Sequence, residues 1–214
     1  MRSQRIAICT VLVVLVVTGS TKAYFELHDN EQLTVNSYHY SGALHDTSDV
    51  FIVSGAFIDY AIYGYGSSTI NISGGYVNTP NPRDSSTMNM SGGSAYWFSA
   101  QNYSIVDISG GSIDEYYAVD SATVNISGGS IENLHAHDTS TNNIFGQNFH
   151  YGSGLTLNGN RVLGTGILSG EWLDGTPWTM DINENYSTAT ILAIPEPTTL
   201  LLLGLGAVML RRKR

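Results

Sequence analysis

Basic residues are the scarcest chemistry in this chain. Nine Lys and Arg stand against eighteen Asp and Glu in 214 residues. Most of the nine crowd the two ends. Between Tyr24 and Ile194 only Arg83 and Arg161 remain, against seventeen acids, so this body carries a net charge near −15. Such a field repels phosphate backbones and anionic membrane surfaces, which excludes nucleic acid as a partner. Cysteine is nearly absent as well. Cys9 is the only one, so the chain has neither a disulfide framework nor a thiolate metal site. No P-loop, dinucleotide, nucleophile-elbow or zinc signature occurs. The body also lacks any apolar run long enough to cross a membrane. Apolar runs are confined to the termini.

The first of these runs is Ile6 to Val17, preceded by Arg2 and Arg5 and followed by small residues at Thr21 and Ala23. That is the three-part layout of a secretory signal peptide, expected over residues 1–23. Cleavage is expected after Ala23, with Ser20 as the alternative. Cys9 lies inside the apolar stretch and not behind it, so it does not mark a lipoprotein.

The second run closes the chain. Pro195, Glu196 and Pro197 precede thirteen uncharged residues, Thr198 to Leu210, and then Arg211, Arg212, Lys213 and Arg214. As a helix the uncharged stretch spans about 20 Å, shorter than the ~30 Å hydrocarbon core. It is expected to form a short transmembrane helix, with the basic stop held on the cytoplasmic side. The triplet, the apolar run and the basic end, in that order, resemble the PEP-CTERM sorting signal of bacterial exported proteins. The resemblance implies an exosortase-type membrane protease as partner, which recognises and cuts near the triplet. It implies residence in the inner membrane during sorting, and then at the cell surface or in the extracellular matrix. A plain membrane anchor that is never cut is the alternative.

Between the two ends the chain repeats. TINISGG, TMNMSGG, IVDISGG and TVNISGG put Gly74, Gly92, Gly110 and Gly128 eighteen residues apart, each followed by a second glycine at Gly75, Gly93, Gly111 and Gly129. A degraded copy surrounds Gly146, and VFIVSGAFI lies upstream at an offset of nineteen. A fixed short period signals a solenoid, whose units bury each other's apolar faces. The apolar columns are Ile70, Met88, Val106, Val124 and Ile72, Met90, Ile108, Ile126, Ile144. They alternate with Thr, Asn, Asp and Ser, so each copy supplies a half-buried strand. Further inward columns are Val77, Ala95, Ile113, Ile131, Phe149, then Pro80, Phe98, Tyr116, Leu134, then Pro82, Ala100, Ala118, Ala136. The glycine pairs mark one corner, and Asp84, Asn102, Asp120 and Asp138 another. The inward positions are not six-fold periodic, which argues against a left-handed hexapeptide helix. The expected fold is all-β: a right-handed parallel β-solenoid with coils of about eighteen residues, flanked by the signal peptide and the terminal helix.

The expected layout is a first cap or first strands at 24–49, the repeats at 50–149, a β-rich closing cap at 150–194, and the sorting segment at 195–214. Trp172 and Trp178 are expected to cover the last coil, with carbohydrate stacking as an alternative role. Asp174-Gly175 is expected to turn between two closing strands.

Three groups of residues could carry chemistry. The polar ladder Asn71, Asn89, Asp107, Asn125, Asn143 faces outward, either to brace stacked strands or to hydrogen-bond a sugar polymer. The acidic corner of Asp84, Asp120 and Asp138, with Asp114 and Glu115, could share calcium between coils, or simply be solvated turns. His135 and His137 face the same way on one strand, and no spacing marks a third metal ligand. No catalytic residue stands out and no cofactor is required, calcium aside. The chain is therefore expected to be a non-enzymatic, structural or adhesive component of an exopolysaccharide or biofilm matrix. A carbohydrate- or calcium-binding module is the runner-up, and a polysaccharide lyase or hydrolase comes behind it.

Overall fold

A computed structural model describes residues 23–185 and 188–195. Residues 1–22 of the signal peptide expected at 1–23, Glu196, Pro197, the expected terminal helix and the basic stop Arg211, Arg212, Lys213, Arg214 lie outside the described residues. Every described element is a strand. The chain opens with β1 (Tyr24–Leu27), β2 (Gln32–Val35) and β3 (Tyr38–His39), then β4 (Ser41–Leu44), β5 (Asp49–Ile52) and β6 (Phe57–Gly64). Four long strands follow: β7 (Thr69–Pro82), β8 (Thr87–Ala100), β9 (Ile105–Ala118) and β10 (Thr123–Ala136). They lead to β11 (Thr141–Tyr151), β12 (Leu155–Asn158), β13 (Arg161–Gly164), β14 (Gly166–Glu171), β15 (Pro177–Asn185) and β16 (Thr190–Pro195).

From β1 to β10 every pairing is parallel, and each coil lies on the one before it. This is the stacked β-solenoid that the period predicts. Ile70 pairs with Met88, Met88 with Val106 and Val106 with Val124. Fourteen residues of each central coil are β-structure, bent at the glycine pair and again before the third side. Each central coil has three sides. The first runs up to the glycine pair, the second is the short stretch after it, and the third leads to the acidic corner.

The inward columns of the four central coils are buried as expected, with Pro80, Phe98, Tyr116 and Leu134 on the third side. Each large apolar side chain so buried contributes about 1.5–3 kcal/mol. Tyr116 carries its hydroxyl into this core with no hydrogen-bond partner, and burial pushes its pKa well up. A further column escaped the apolar pattern. Ser48, Ser68, Ser86, Ser104 and Ser140 are fully buried, and Ala122 takes the same place in its own coil. Their backbone N–H groups close tight turns, as Ser86 does on the Arg83 carbonyl at 2.9 Å. Small size admits these residues at the corner, and serine's turn preference suits it.

The first coils are less regular than the central ones. Leu33 pairs with Val50 seventeen residues on, and Val50 with Ile70 twenty on. Strands of residues 24–49 thus stack on the repeats as coils in their own right.

At the other end the solenoid gives way to a closing sheet. Asn142 follows Val124 in the apolar column and is fully buried. Its amide finds only a 3.5 Å contact to Ser140 Oγ, and its Oδ1 has no partner. Beyond Ile144 the β10–β11 register stops. Phe149 was expected above Ile131; instead it packs edge-on to Trp178 at 5.8 Å and beside Tyr151. Later segments complete the missing coil. β16 covers the first side, setting Ile191 on Asn142, and β15 covers the third side, setting Ile182 on Leu134. β14 pairs antiparallel with both β11 and β15. Gly175, at φ +84°, turns the chain between β14 and β15, and the Gly175 N–H donates to Trp172 O at 2.9 Å.

The glycine pair does two separate jobs. Gly93 has φ +78°, a conformation that costs other L-residues about 1–2 kcal/mol. A Cβ on its neighbour Gly92 would lie 2.7 Å from the Ser73 carbonyl oxygen of the coil below. A Cβ on Gly93 would itself lie 2.8 Å from the Gly74 backbone. Gly159 also has positive φ, at +62°, but a Cβ there meets nothing within 4 Å. Gly159→Ala is therefore expected to cost about 1–2 kcal/mol in urea unfolding. Gly93→Ala should cost about 3 kcal/mol or more, because overpacking adds to the backbone strain. Equal losses would show that coil-to-coil contact adds nothing to the requirement for glycine.

Candidate functional site

The outward positions of the coils hold all the candidate groups, and the stacking places each on its counterpart one coil away. On the first side the predicted ladder forms. Asn89 Nδ2 donates to Asn71 Oδ1 at 2.9 Å, Asn125 Nδ2 to Asp107 Oδ1 at 2.8 Å, and Asn143 Nδ2 to Asn125 Oδ1 at 2.9 Å. All donors point toward the start of the chain. Asp107 has no amide to offer, so the rung to Asn89 lacks its hydrogen bond. The amides of this ladder are thus used within the rod.

The acidic corner behaves in the same way. Asp84, Asn102, Asp120 and Asp138 have φ between 53° and 58°, the left-handed region that Asn and Asp tolerate best. Each side chain caps a backbone N–H one coil earlier. Gly66 N donates to Asp84 Oδ2, Asp84 N to Asn102 Oδ1, Asn102 N to Asp120 Oδ2, and Asp120 N to Asp138 Oδ2, all at 3.0–3.2 Å. These carboxylates are turn caps. In each carboxylate the bond engages Oδ2.

The third side carries planar groups in rows. Arg83 lies over the Tyr63 and Tyr65 rings, 5.1 and 5.8 Å from their centroids, and its Nε donates to Asn81 Oδ1 at 3.1 Å. From the next coil on, Trp97 stacks on Tyr117 at 4.6 Å and Tyr117 on His135 at 4.2 Å, with planes within 7°. Glu115 is held by the next coil: Asn133 Nδ2 donates to its Oε1 at 3.0 Å, and His135 Nε2 lies 2.9 Å from its Oε2. His137 lies 6.2 Å from the Tyr117 ring. His135 and His137 do share a face, yet His135 is turned to Glu115 and Tyr117. The stacked rows were missed in the sequence because hydrophobic periodicity is blind to outward aromatics. A search for planar residues near the coil period would have found Tyr65 and Arg83 eighteen apart, and Trp97 and Tyr117 twenty apart.

Trp172 and Trp178 are buried, at 4% and 6% exposure, and stack on each other at 4.8 Å. Trp172 Nε1 donates to the Gly129 carbonyl at 2.9 Å, in the place where another coil would bond. They seal the last coil, and burial removes them as a sugar-stacking surface. An open cleft of about 480 Å³ runs between this lid and the corner at Gly128 and Gly129, with Asp174 on its wall. The Thr176 N–H donates to Asp174 at 2.9 Å and holds its carboxyl below the usual range. A shallower cleft of about 290 Å³ is lined by Glu132 and Asp181. Glu132 is exposed and Asp181 half-buried.

Pro195, first of the sorting triplet, ends β16 and pairs with Gly146 of β11. The sorting segment therefore leaves the rod directly at its C-terminal end. Residues 193–214 match the PEP-CTERM protein-sorting motif. No curated protein and no solved structure matches the chain. The motif makes this an exosortase-sorted exported protein that associates with the membrane on its way to the cell surface.

The interrupted ladder yields a direct test. Asp107→Asn restores the missing amide donor toward Asn89 and removes one charge from a strongly acidic body. A neutral hydrogen bond gained in this setting is worth about 1 kcal/mol. Asp107→Asn is expected to raise stability by that amount in chemical unfolding. Unchanged or lower stability would mean that the Asp107 carboxylate is the better partner for Asn125.

Proposed function

We propose that this sorted, exported chain is a non-catalytic structural rod. An exosortase-type protease cuts it beyond Pro195 and releases or transfers the solenoid into a matrix of extracellular polysaccharide. The observation that carries this reading is the use of the outward polar groups. Amide ladder, acidic caps and ring stacks bind their counterparts along the axis instead of converging on a cleft. A surface so arranged favours cohesion and offers a partner repeated rows about 4.8 Å apart. The body's charge favours a neutral polymer, since an acidic one would be repelled.

The position of Pro195 fits the same account. Its strand belongs to the closing sheet, so a cut on the far side of the triplet leaves every pairing of the rod intact. Before the cut, the rod stands with its last coil toward the membrane and its first coil outward.

A carbohydrate-binding module is the second reading. It is favoured by Tyr60, Tyr96 and Trp97, which keep 51%, 50% and 42% of their surfaces exposed, Tyr60 two coils before the other two. Aromatic faces of this kind stack on sugar rings.

Intact mass of the protein recovered from cells or medium tests the processing. The expected species lacks the leader and everything beyond the triplet, and added mass on the shortened end would indicate covalent transfer. A species that still ends at Arg214 would defeat the processing step. Fractionation with cell-surface polymer then separates the two readings. Under the structural reading, Tyr96→Ala with Trp97→Ala leaves retention unchanged. Under the module reading the pair loses most of it. No retention of the parent chain would reject both.

A further inference from the structure

The β1 end of the rod carries a cluster separate from the ladder, the caps and the ring stacks. Glu26 and His28 leave β1, and His45 follows β4 one coil on, directly above His28. The two imidazoles stack at 4.7 Å with planes 8° apart, and both turn Nε2 toward Glu26. Glu26 Oε1 lies 3.1 Å from His45 Nε2 and 3.6 Å from His28 Nε2. One ligand atom from each of the three residues lies within 4.8 Å of the others.

We propose that Glu26, His28 and His45 bind a borderline divalent transition-metal ion, with Zn²⁺ as the reference cation. Imidazole nitrogen and carboxylate oxygen bind zinc at roughly 2.0–2.2 Å, which puts tetrahedral ligands about 3.4 Å apart. The two carboxylate–imidazole separations bracket that value. Two nitrogens among three ligands select such a metal over calcium or magnesium, which prefer all-oxygen sites. Three protein ligands leave at least one position for water or for a donor from a partner.

The frame is held independently of any ion. The His28 N–H donates to Glu31 Oε2 at 2.9 Å, and the Glu31 N–H returns to the His28 carbonyl at 3.1 Å. The His45 N–H donates to Ser48 Oγ at 3.1 Å, and the His45 ring stacks on Tyr65 at 5.2 Å. The backbone that carries the ligands is thus placed in advance, and side-chain rotation alone completes the site. The ion would join the terminal strand β1, paired on one side only to β4, to the coil that follows. It would thus clamp the exposed end of the rod where fraying begins. Both expected leader cuts, after Ser20 and after Ala23, leave the site in the exported chain.

Calorimetric titration of Zn²⁺ into the chain recovered from cells is expected to show one saturable site near 1:1. Added Zn²⁺ should raise the unfolding temperature, because it binds the folded state alone. His28 is exposed and its fixing contacts are through the backbone, so His28→Ala should unfold as the parent does in EDTA. It should bind Zn²⁺ at least about tenfold more weakly, as loss of a direct ligand requires. Glu26→Ala should do the same, while His150→Ala, on an exposed histidine near the opposite end, should bind normally. Ca²⁺ should produce neither heat nor stabilisation. Absence of saturable Zn²⁺ binding overturns the proposal. Undiminished affinity in both His28→Ala and Glu26→Ala does so too, and so does a mature chain that begins beyond Glu26.

Discussion

Everything in this structure depends on parallel backbone pairing of each coil with the next at a constant register. Once Ile70 lies on Met88, and Met88 on Val106, the rest of a central coil meets its counterparts, with a local slip of one residue at the glycine corner. Apolar residues meet apolar ones and form the core. Amides meet amides, and corner carboxylates meet the backbone N–H groups that need a partner. The glycine pairs make this possible. One glycine supplies the positive φ of the corner, and the other lets the backbones approach closely. Errors in the corner would be felt in every column.

A stacked rod has two ends, and each is handled differently. At the far end from the sorting segment, coils of uneven length stack on the repeats, and β1 has one strand neighbour. At the near end the apolar column is broken by Asn142, whose buried amide makes a further identical coil costly. Strands from later in the chain take the vacant sides, and Trp172 bonds the Gly129 carbonyl that another coil would have engaged. The rod is thus closed by its own chain on the side from which the sorting segment departs.

The functional groups follow the same geometry. Acids are abundant, yet those at the corner cap turns, and Glu115 is clamped by Asn133 and His135. An acidic composition therefore says little about calcium here. Where ladder positions differ between coils, chemistry becomes visible. Asp107 interrupts the amide row, and the uneven first coils bring Glu26 against two histidines.

The period, the inward columns, the corners and the sorting tail were determined by the sequence itself, because each is a local pattern repeated or a short signal complete in itself. Val77, Ala95, Ile113 and Ile131 could be aligned by counting alone, since identical spacing forces identical environment. The uneven pairing of Leu33, Val50 and Ile70, the departure of Phe149 from its column, the bond of Trp172 to Gly129, and the meeting of Glu26, His28 and His45 were decided by the tertiary structure. In each case the partner is set by where a non-repeating segment comes to rest. That is a matter of competing long-range packing, which no periodicity within the chain encodes.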